Sequence, residues 1–167
     1  MLAKVFKIRI RLNAQNILGA FNNHLISDLT GQSWIDASFV DMGCLYFNNT
    51  ERLDWMEANE YCQTRLPELN SSLVELRTSE QLAFLQMLLD FDSDFAAGSW
   101  IAGTNVGSSG RWFWAKTLSP VEDFVWADGE PSRSNGTVSC LMLASDFDLM
   151  GLSIECDRNE YPICQIK

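Results

Sequence analysis

Histidine is almost missing from this chain: its 167 residues hold one, His24, far upstream of most of the acidic residues and of every cysteine. Without an imidazole, the acidic part cannot build a His-ligated metal site or a His-activated Ser or Cys nucleophile. None of the five cysteines has the Cys-x-x-Cys spacing that zinc or thioredoxin-type redox chemistry requires. Basic side chains are scarce too, with 12 Lys and Arg against 22 Asp and Glu and a net charge of −10. Phosphate binding needs clustered Lys and Arg, so no nucleic acid is expected as a partner. Apolar runs such as Met87-Leu88-Leu89 are far too short to cross a bilayer, and no membrane span is expected. The stretch Val5-Phe6-Lys7-Ile8-Arg9-Ile10-Arg11-Leu12 interleaves charge with apolar residues, so no secretory signal peptide is expected there.

What is present divides unevenly. Residues 1–27 carry four basic residues (Lys4, Lys7, Arg9, Arg11) and no acid, whereas residues 28–167 carry 8 basic and 22 acidic ones. Cys44, Cys62, Cys140, Cys156 and Cys164 all fall in the acidic part. Three N-glycosylation acceptors accompany them, Asn48-Asn49-Thr50, Asn70-Ser71-Ser72 and Asn135-Gly136-Thr137. About one such match would arise by chance at average composition, so cysteines and acceptors together lean towards an oxidising, extracellular home.

The first 30 or so residues show no clear period, and Thr30-Gly31-Gln32-Ser33 reads as a connector. From Trp34 onward the punctuation is regular. Asp54 and Glu57 form a capping-box-like pair that opens a helix with Trp55, Ala58 and Cys62 on one face. A second helix opens at Thr78 with Gln81 three residues on, and its stripe is Leu82, Leu85 and Leu89, flanked by Phe84 and Leu88. Short β-like runs follow at Trp100-Ile101-Ala102, Arg111-Trp112-Phe113-Trp114, Cys140-Leu141-Met142-Leu143 and Ile163-Cys164-Gln165-Ile166. Between them residues 116–139 carry few strand signals, and loops that long are usually functional. Two helices followed by short strands and a long loop predict an α+β domain.

These residues spell a family pattern. Trp55-x-x-Ala58-x-x-x-Cys62, then Trp100-Ile101-Ala102-Gly103, then Trp126 before Gly129-Glu130-Pro131, then Cys140, Cys156 and Cys164 resemble the C-type lectin-like domain. The opening Gly43-Cys44-Leu45-Tyr46-Phe47 is similar to that family's start, and the likeness covers residues 34–167. The resemblance implies a disulfide-pinned α+β fold with the pairs Cys62–Cys164 and Cys140–Cys156. In long-form members the position of Cys44 pairs with a cysteine a dozen or so residues upstream; Trp34 is in place here, but no cysteine precedes it. Cys44 is therefore left outside the two implied pairs, and the alternative is a disulfide-linked dimer through it. Charge step, absent signal and absent upstream cysteine all fall near residue 33. Residues 1–33 are accordingly expected to be a mis-joined or alternative leader, and residues 34–167 the domain.

Sugar-binding members of the family hold calcium, a hard cation that needs six to eight oxygen ligands. Matching by cysteine spacing, the family's Glu-Pro-Asn becomes Glu130-Pro131-Ser132, its later Glu becomes Val138, and its Trp-Asn-Asp becomes Gly151-Leu152-Ser153. Glu130 is left as the one strong ligand, Ser132 is weak and neutral, and the accessory site is reduced to Asn105 and Ser109. No cofactor is expected, calcium included. The resemblance also implies a cis Glu130–Pro131 bond. Asp90-Phe91-Asp92-Ser93-Asp94 begins like an EF-hand loop, but Phe95 and Ile101 stand where Gly and Glu are required. Gly103, Gly107 and Gly110 read as turns, and Trp100, Trp112, Trp114 and Trp126 as core.

The expected function is extracellular recognition of a protein or glycan ligand without calcium, through a loop running from about Phe124 to Ser139 that contains Asp128, Glu130, Pro131 and Ser132. The alternative is a calcium-dependent lectin that recruits Asp128, Asp146 or Asp148 beside Glu130. No enzyme is expected, since the nucleophile–base spacings are missing as well as histidine. A glycan on Asn135 would obstruct a sugar pocket in that loop and so favour a protein partner.

Overall fold

A computed structural model describes residues 25–27, 33–36, 41–48, 50–65, 70–89, 97–107, 110–132 and 138–166. Helix α1 (Trp55–Arg65) starts on a reciprocal capping box: Glu57 N–H donates to Asp54 Oδ1 at 2.8 Å, and Asp54 N–H donates to Glu57 Oε2 at 3.3 Å. Its buried face is Trp55, Ala58 and Cys62. Helix α2 (Ser79–Leu89) buries Leu82, Phe84, Leu85, Leu88 and Leu89. Gln81 N–H donates to Thr78 Oγ1 at 3.2 Å, but the buried Gln81 amide reaches further, accepting from Arg77 N–H at 2.7 Å and donating to the Asp41 carbonyl at 3.2 Å. That side chain ties the start of α2 to the segment before the first core strand.

Nine strands appear among the described residues: β1 (Leu25–Ser27), β2 (Ser33–Asp36), β3 (Cys44–Phe47), β4 (Ser72–Leu73), β5 (Ser99–Thr104), β6 (Phe113–Trp114), β7 (Ser139–Leu143), β8 (Gly151–Glu155) and β9 (Tyr161–Ile166). They form one mixed sheet in the order β1-β2-β3-β9-β5-β7-β8, with β4 on β9 and β6 on β5. Only the β5–β9 pairing is parallel among these. Every residue of β5 and β7 is buried, as continuous apolar strands in the middle of a sheet must be. Trp100, Ile101, Leu141, Leu143 and Ile163 form the inner core with Leu45, Leu73, Leu85 and Leu89. Two buried indoles stitch α1 to it: Trp55 Nε1–H donates to the Ile101 carbonyl and Trp100 Nε1–H to the Leu53 carbonyl, each at 2.9 Å.

Both implied disulfides are present. Cys62–Cys164 joins α1 to β9 with Cα atoms 5.3 Å apart, and Cys140–Cys156 joins β7 to the end of β8 with Cα atoms 5.1 Å apart. Cys44 lies in neither, half-buried on β3 against the core.

Leu25 lies opposite Ile35 and β2 in turn pairs with β3, so paired backbone lies on both sides of residue 33. A three-residue strand is too short to show an alternating period, so nothing in the sequence marked β1. The rest of the segment before β2, His24 included, lies outside the described residues. Of the run from Arg111 to Trp114, only Phe113 and Trp114 enter the sheet. Gly107 and Gly110 do sit in turns with positive φ, but Gly103 is inside β5, where a β-carbon would meet Leu141 Cδ2 at 2.5 Å.

Candidate functional site

The chain leaves the sheet after β6 and returns at β7, and residues 115–132 of that excursion are described. Its start is pinned from below. The buried Glu75 carboxylate accepts from Lys116 N–H at 3.2 Å, Thr117 N–H at 3.1 Å and the Thr117 hydroxyl at 3.0 Å, and Arg77 closes the group as an ion pair at 2.9 Å. Further on, the loop runs beside the first residue of β8: Gly151 N–H donates to the Val125 carbonyl and Ala127 N–H to the Gly151 carbonyl, both at 3.0 Å. The Phe124 ring packs edge-on between Trp114 and Trp126, with centroids at 5.9 and 5.4 Å, and Trp112 meets Trp126 at 4.8 Å. These side chains support the loop from inside.

At the loop's outer turn Glu130 N–H donates to the Ala127 carbonyl at 2.9 Å, Gly129 takes a φ of 82°, and the Glu130–Pro131 peptide bond is cis. Glu130 Oε2 then collects three hydrogens: from Ser132 N–H at 2.7 Å, from Ser153 N–H at 3.0 Å and from the Ser153 hydroxyl. Since Ser153 has spent its one hydroxyl hydrogen on Glu130, its oxygen accepts the Ser132 hydroxyl at 2.9 Å, and it also lies 2.9 Å from Ser132 N–H. The loop is thus bonded to β8 through one carboxylate and two serines.

A match to the lectin C-type domain model spans residues 51–166. The chain belongs to the C-type lectin family. It is 29% identical over 133 residues to C-type lectin domain family 4 member M of Gorilla gorilla gorilla, covering 78% of this chain and 32% of that protein. It is 27% identical over 132 residues to CD209 antigen of Symphalangus syndactylus, covering 77% of this chain and 31% of that protein. The aligned part spans about a third of the length of these curated relatives. Among solved structures, human lithostathine superposes with a TM-score of 0.64 at 26% identity, covering 74% of this chain and 83% of that one.

At the positions where the resemblance implies calcium ligands, this C-type lectin domain carries few side-chain oxygens. Glu130 Oε2 is already saturated with hydrogens, Leu152 is 4% exposed in the core, and Val138 offers only methyl groups. Asn105 Oδ1 accepts from Ser139 N–H at 2.7 Å and so serves the backbone, while Ser109 lies outside the described residues. Asp128 is exposed two residues before Glu130. Asp146 and Asp148 are also exposed, but their segment lies against α2, where the Gln86 amide donates to the Leu149 carbonyl at 3.1 Å. Among the described residues no three Asp, Glu, Cys or His side chains converge as a metal site. The acidic run at residues 90–94 lies outside them.

The glycosylation acceptors separate. Asn70 is exposed at a left-handed turn. Asn48 is fully buried, its Oδ1 accepting from Thr50 N–H at 3.1 Å and the Thr50 hydroxyl at 2.7 Å, and its Nδ2 aimed at the Glu51 carbonyl at 3.4 Å. Asn48 and Thr50 thus form a local hydrogen-bonded turn. Asn135 lies outside the described residues. Sequence reasoning singled out Glu130 and Ser132 but missed Phe124 and Gly151 as a pair. Gly151 in place of the family's Trp was the available signal, because a lost indole leaves volume that another side chain must fill.

Proposed function

We propose that this domain is an extracellular, non-catalytic recognition module that binds a protein or glycan ligand through residues 124–139 without calcium. The observation that carries this reading is the occupation of Glu130 Oε2 by Ser132 and Ser153, where the family's chemistry calls for a metal-facing carboxylate. The two disulfides and the exposed acceptor at Asn70 support an oxidising, secretory setting. The family membership supports binding over catalysis.

The test is an array of glycans and cell-surface ectodomains probed with the full chain, once in calcium and once in chelator. Binding that persists undiminished in chelator is the expected result. Binding that chelation abolishes and calcium restores would overturn the reading and favour a calcium-dependent lectin centred on Glu130.

A further inference from the structure

We infer that the Ser72 hydroxyl serves the glycosylation of Asn70 rather than the fold, and that the sugar is attached before β4 docks on β9. This rests on the extracellular reading above, because the transferase that reads Asn-x-Ser acts on chains entering the secretory pathway. Asn70 is exposed, whereas Ser71 is 4% and Ser72 1% exposed. The two buried serines are used differently. The Ser71 hydroxyl donates to the Cys62 carbonyl at 2.5 Å. Ser72 Oγ has no hydrogen-bond partner, and among the described residues it is the one buried side-chain oxygen or nitrogen left so. A buried hydroxyl without a partner is destabilising, and alanine would occupy the position without that penalty. The hydroxyl of the other described acceptor is employed, Thr50 donating to Asn48 Oδ1 at 2.7 Å. The fold gives no reason for a hydroxyl at residue 72, and the acceptor spelling gives one.

The same burial sets the order of events. Recognition of the acceptor needs the Asn70 amide and the Ser72 hydroxyl together, and in the folded domain only Asn70 is at the surface. Ser72 lies opposite Gln165, Leu73 lies opposite Cys164, and Val74 N–H donates to the Ile163 carbonyl at 2.9 Å. All three partners belong to β9, the last described strand in chain order. The Cys62–Cys164 disulfide waits for the same strand, 102 residues downstream of Cys62. Synthesis of that length takes roughly 5–20 s, during which the acceptor has no strand to pair with. In that interval Asn70 Nδ2 attacks the anomeric carbon of a polyprenyl-diphosphate oligosaccharide. The N–C bond forms, the C–O bond to the diphosphate breaks, the amide gives up one proton and the lipid diphosphate leaves. Once β4 is paired, the hydroxyl is shut in and the reaction is over.

The experiment reads two quantities on variants of the full chain: glycan occupancy at Asn70 after expression in secretory cells, and the denaturation midpoint of chains produced without glycan. Ser72→Ala is expected to lose the glycan while keeping the wild-type midpoint or exceeding it. Ser71→Ala, which leaves Asn70-x-Ser72 intact, is expected to keep the glycan and lower the midpoint, because it removes a buried hydrogen bond. In a further arm the wild-type chain without glycan meets solubilised transferase and a polyprenyl-diphosphate oligosaccharide, once folded and once reduced and carboxymethylated. Asn70 is expected to be modified about tenfold faster, or more, in the unfolded chain, since the folded one reacts only through local opening. A glycan that survives Ser72→Ala, a midpoint that Ser72→Ala lowers, or equal transfer to folded and unfolded chains would each overturn the inference. Bare Asn70 in wild-type chains from secretory cells, with transfer to the unfolded chain intact, would instead sink the extracellular reading beneath it.

Discussion

The edge of the Phe124 ring stands 2.4 Å from where a β-carbon on Gly151 would begin, with Leu141 Cδ1 at 3.0 Å on the other side. The long loop therefore delivers an aromatic ring into space that residue 151 leaves empty. Even a methyl group at 151 displaces that ring and the Trp114 and Trp126 edges it meets. Gly151→Ala is expected to cost about 1–3 kcal/mol by overpacking. Phe124→Leu alone is expected to cost a similar amount, and the pair together less than the sum, because the smaller ring site makes room for the methyl. A double-mutant cycle by chemical denaturation measures this; strict additivity would show that the two residues do not compete for one volume.

The disulfides close loops of different size, 102 residues for Cys62–Cys164 and 16 for Cys140–Cys156. In the chain-entropy model these contribute about 4.7 and about 3 kcal/mol. Replacing Cys62 and Cys164 by alanine is therefore expected to lower the denaturation midpoint more than replacing Cys140 and Cys156. The second replacement should instead act locally, speeding amide exchange in β8, the strand that carries Ser153. Denaturation and hydrogen exchange on the two double variants separate these effects, and an inverted order of stability would contradict the assignment.

How far the sequence reveals this molecule depends on the range of the interactions. The helix starts at Asp54 and Thr78 are legible because a cap is a contact between residues three apart. The buried stripes of α1 and α2 follow from their period. Strands β3, β4 and β8 left no such mark. Two-residue β4 exists because Ser72 and Leu73 find Gln165 and Cys164 across nearly a hundred residues, and no local pattern encodes a partner that distant. At the site, the side chains without oxygen donors are written in Val138 and Leu152. The bonding of Glu130 is not, since Ser153 acts only once β8 lies beside the Glu130 turn.

Of the two acceptors that are described, one points outward and one is consumed by the fold. Expression of the full chain in secretory cells is expected to give glycan on Asn70 and none on Asn48 in the folded product. Peptide mapping by mass spectrometry after enzymatic deglycosylation distinguishes the two sites. Substantial occupancy of Asn48 would mean that its turn with Thr50 and Glu51 forms differently from the geometry here.

Glu80 sits in the first turn of α2, where backbone N–H groups lack helical partners. Its carboxylate accepts from its own backbone amide and from the Thr78 hydroxyl, and both hold it below the usual carboxylate range. A depressed pKa means the unfolded chain binds the proton more readily than the folded one. The stabilisation is therefore present above the ordinary glutamate pKa and disappears as the pH falls through the lowered folded value. The wild-type advantage over Glu80→Gln is expected to be small, because the group is fully exposed, and salt-sensitive. It should shrink towards zero as denaturation is followed from about pH 7 to about pH 3. An advantage that grew with acid would reverse the sign and place the charged carboxylate in an unfavourable setting.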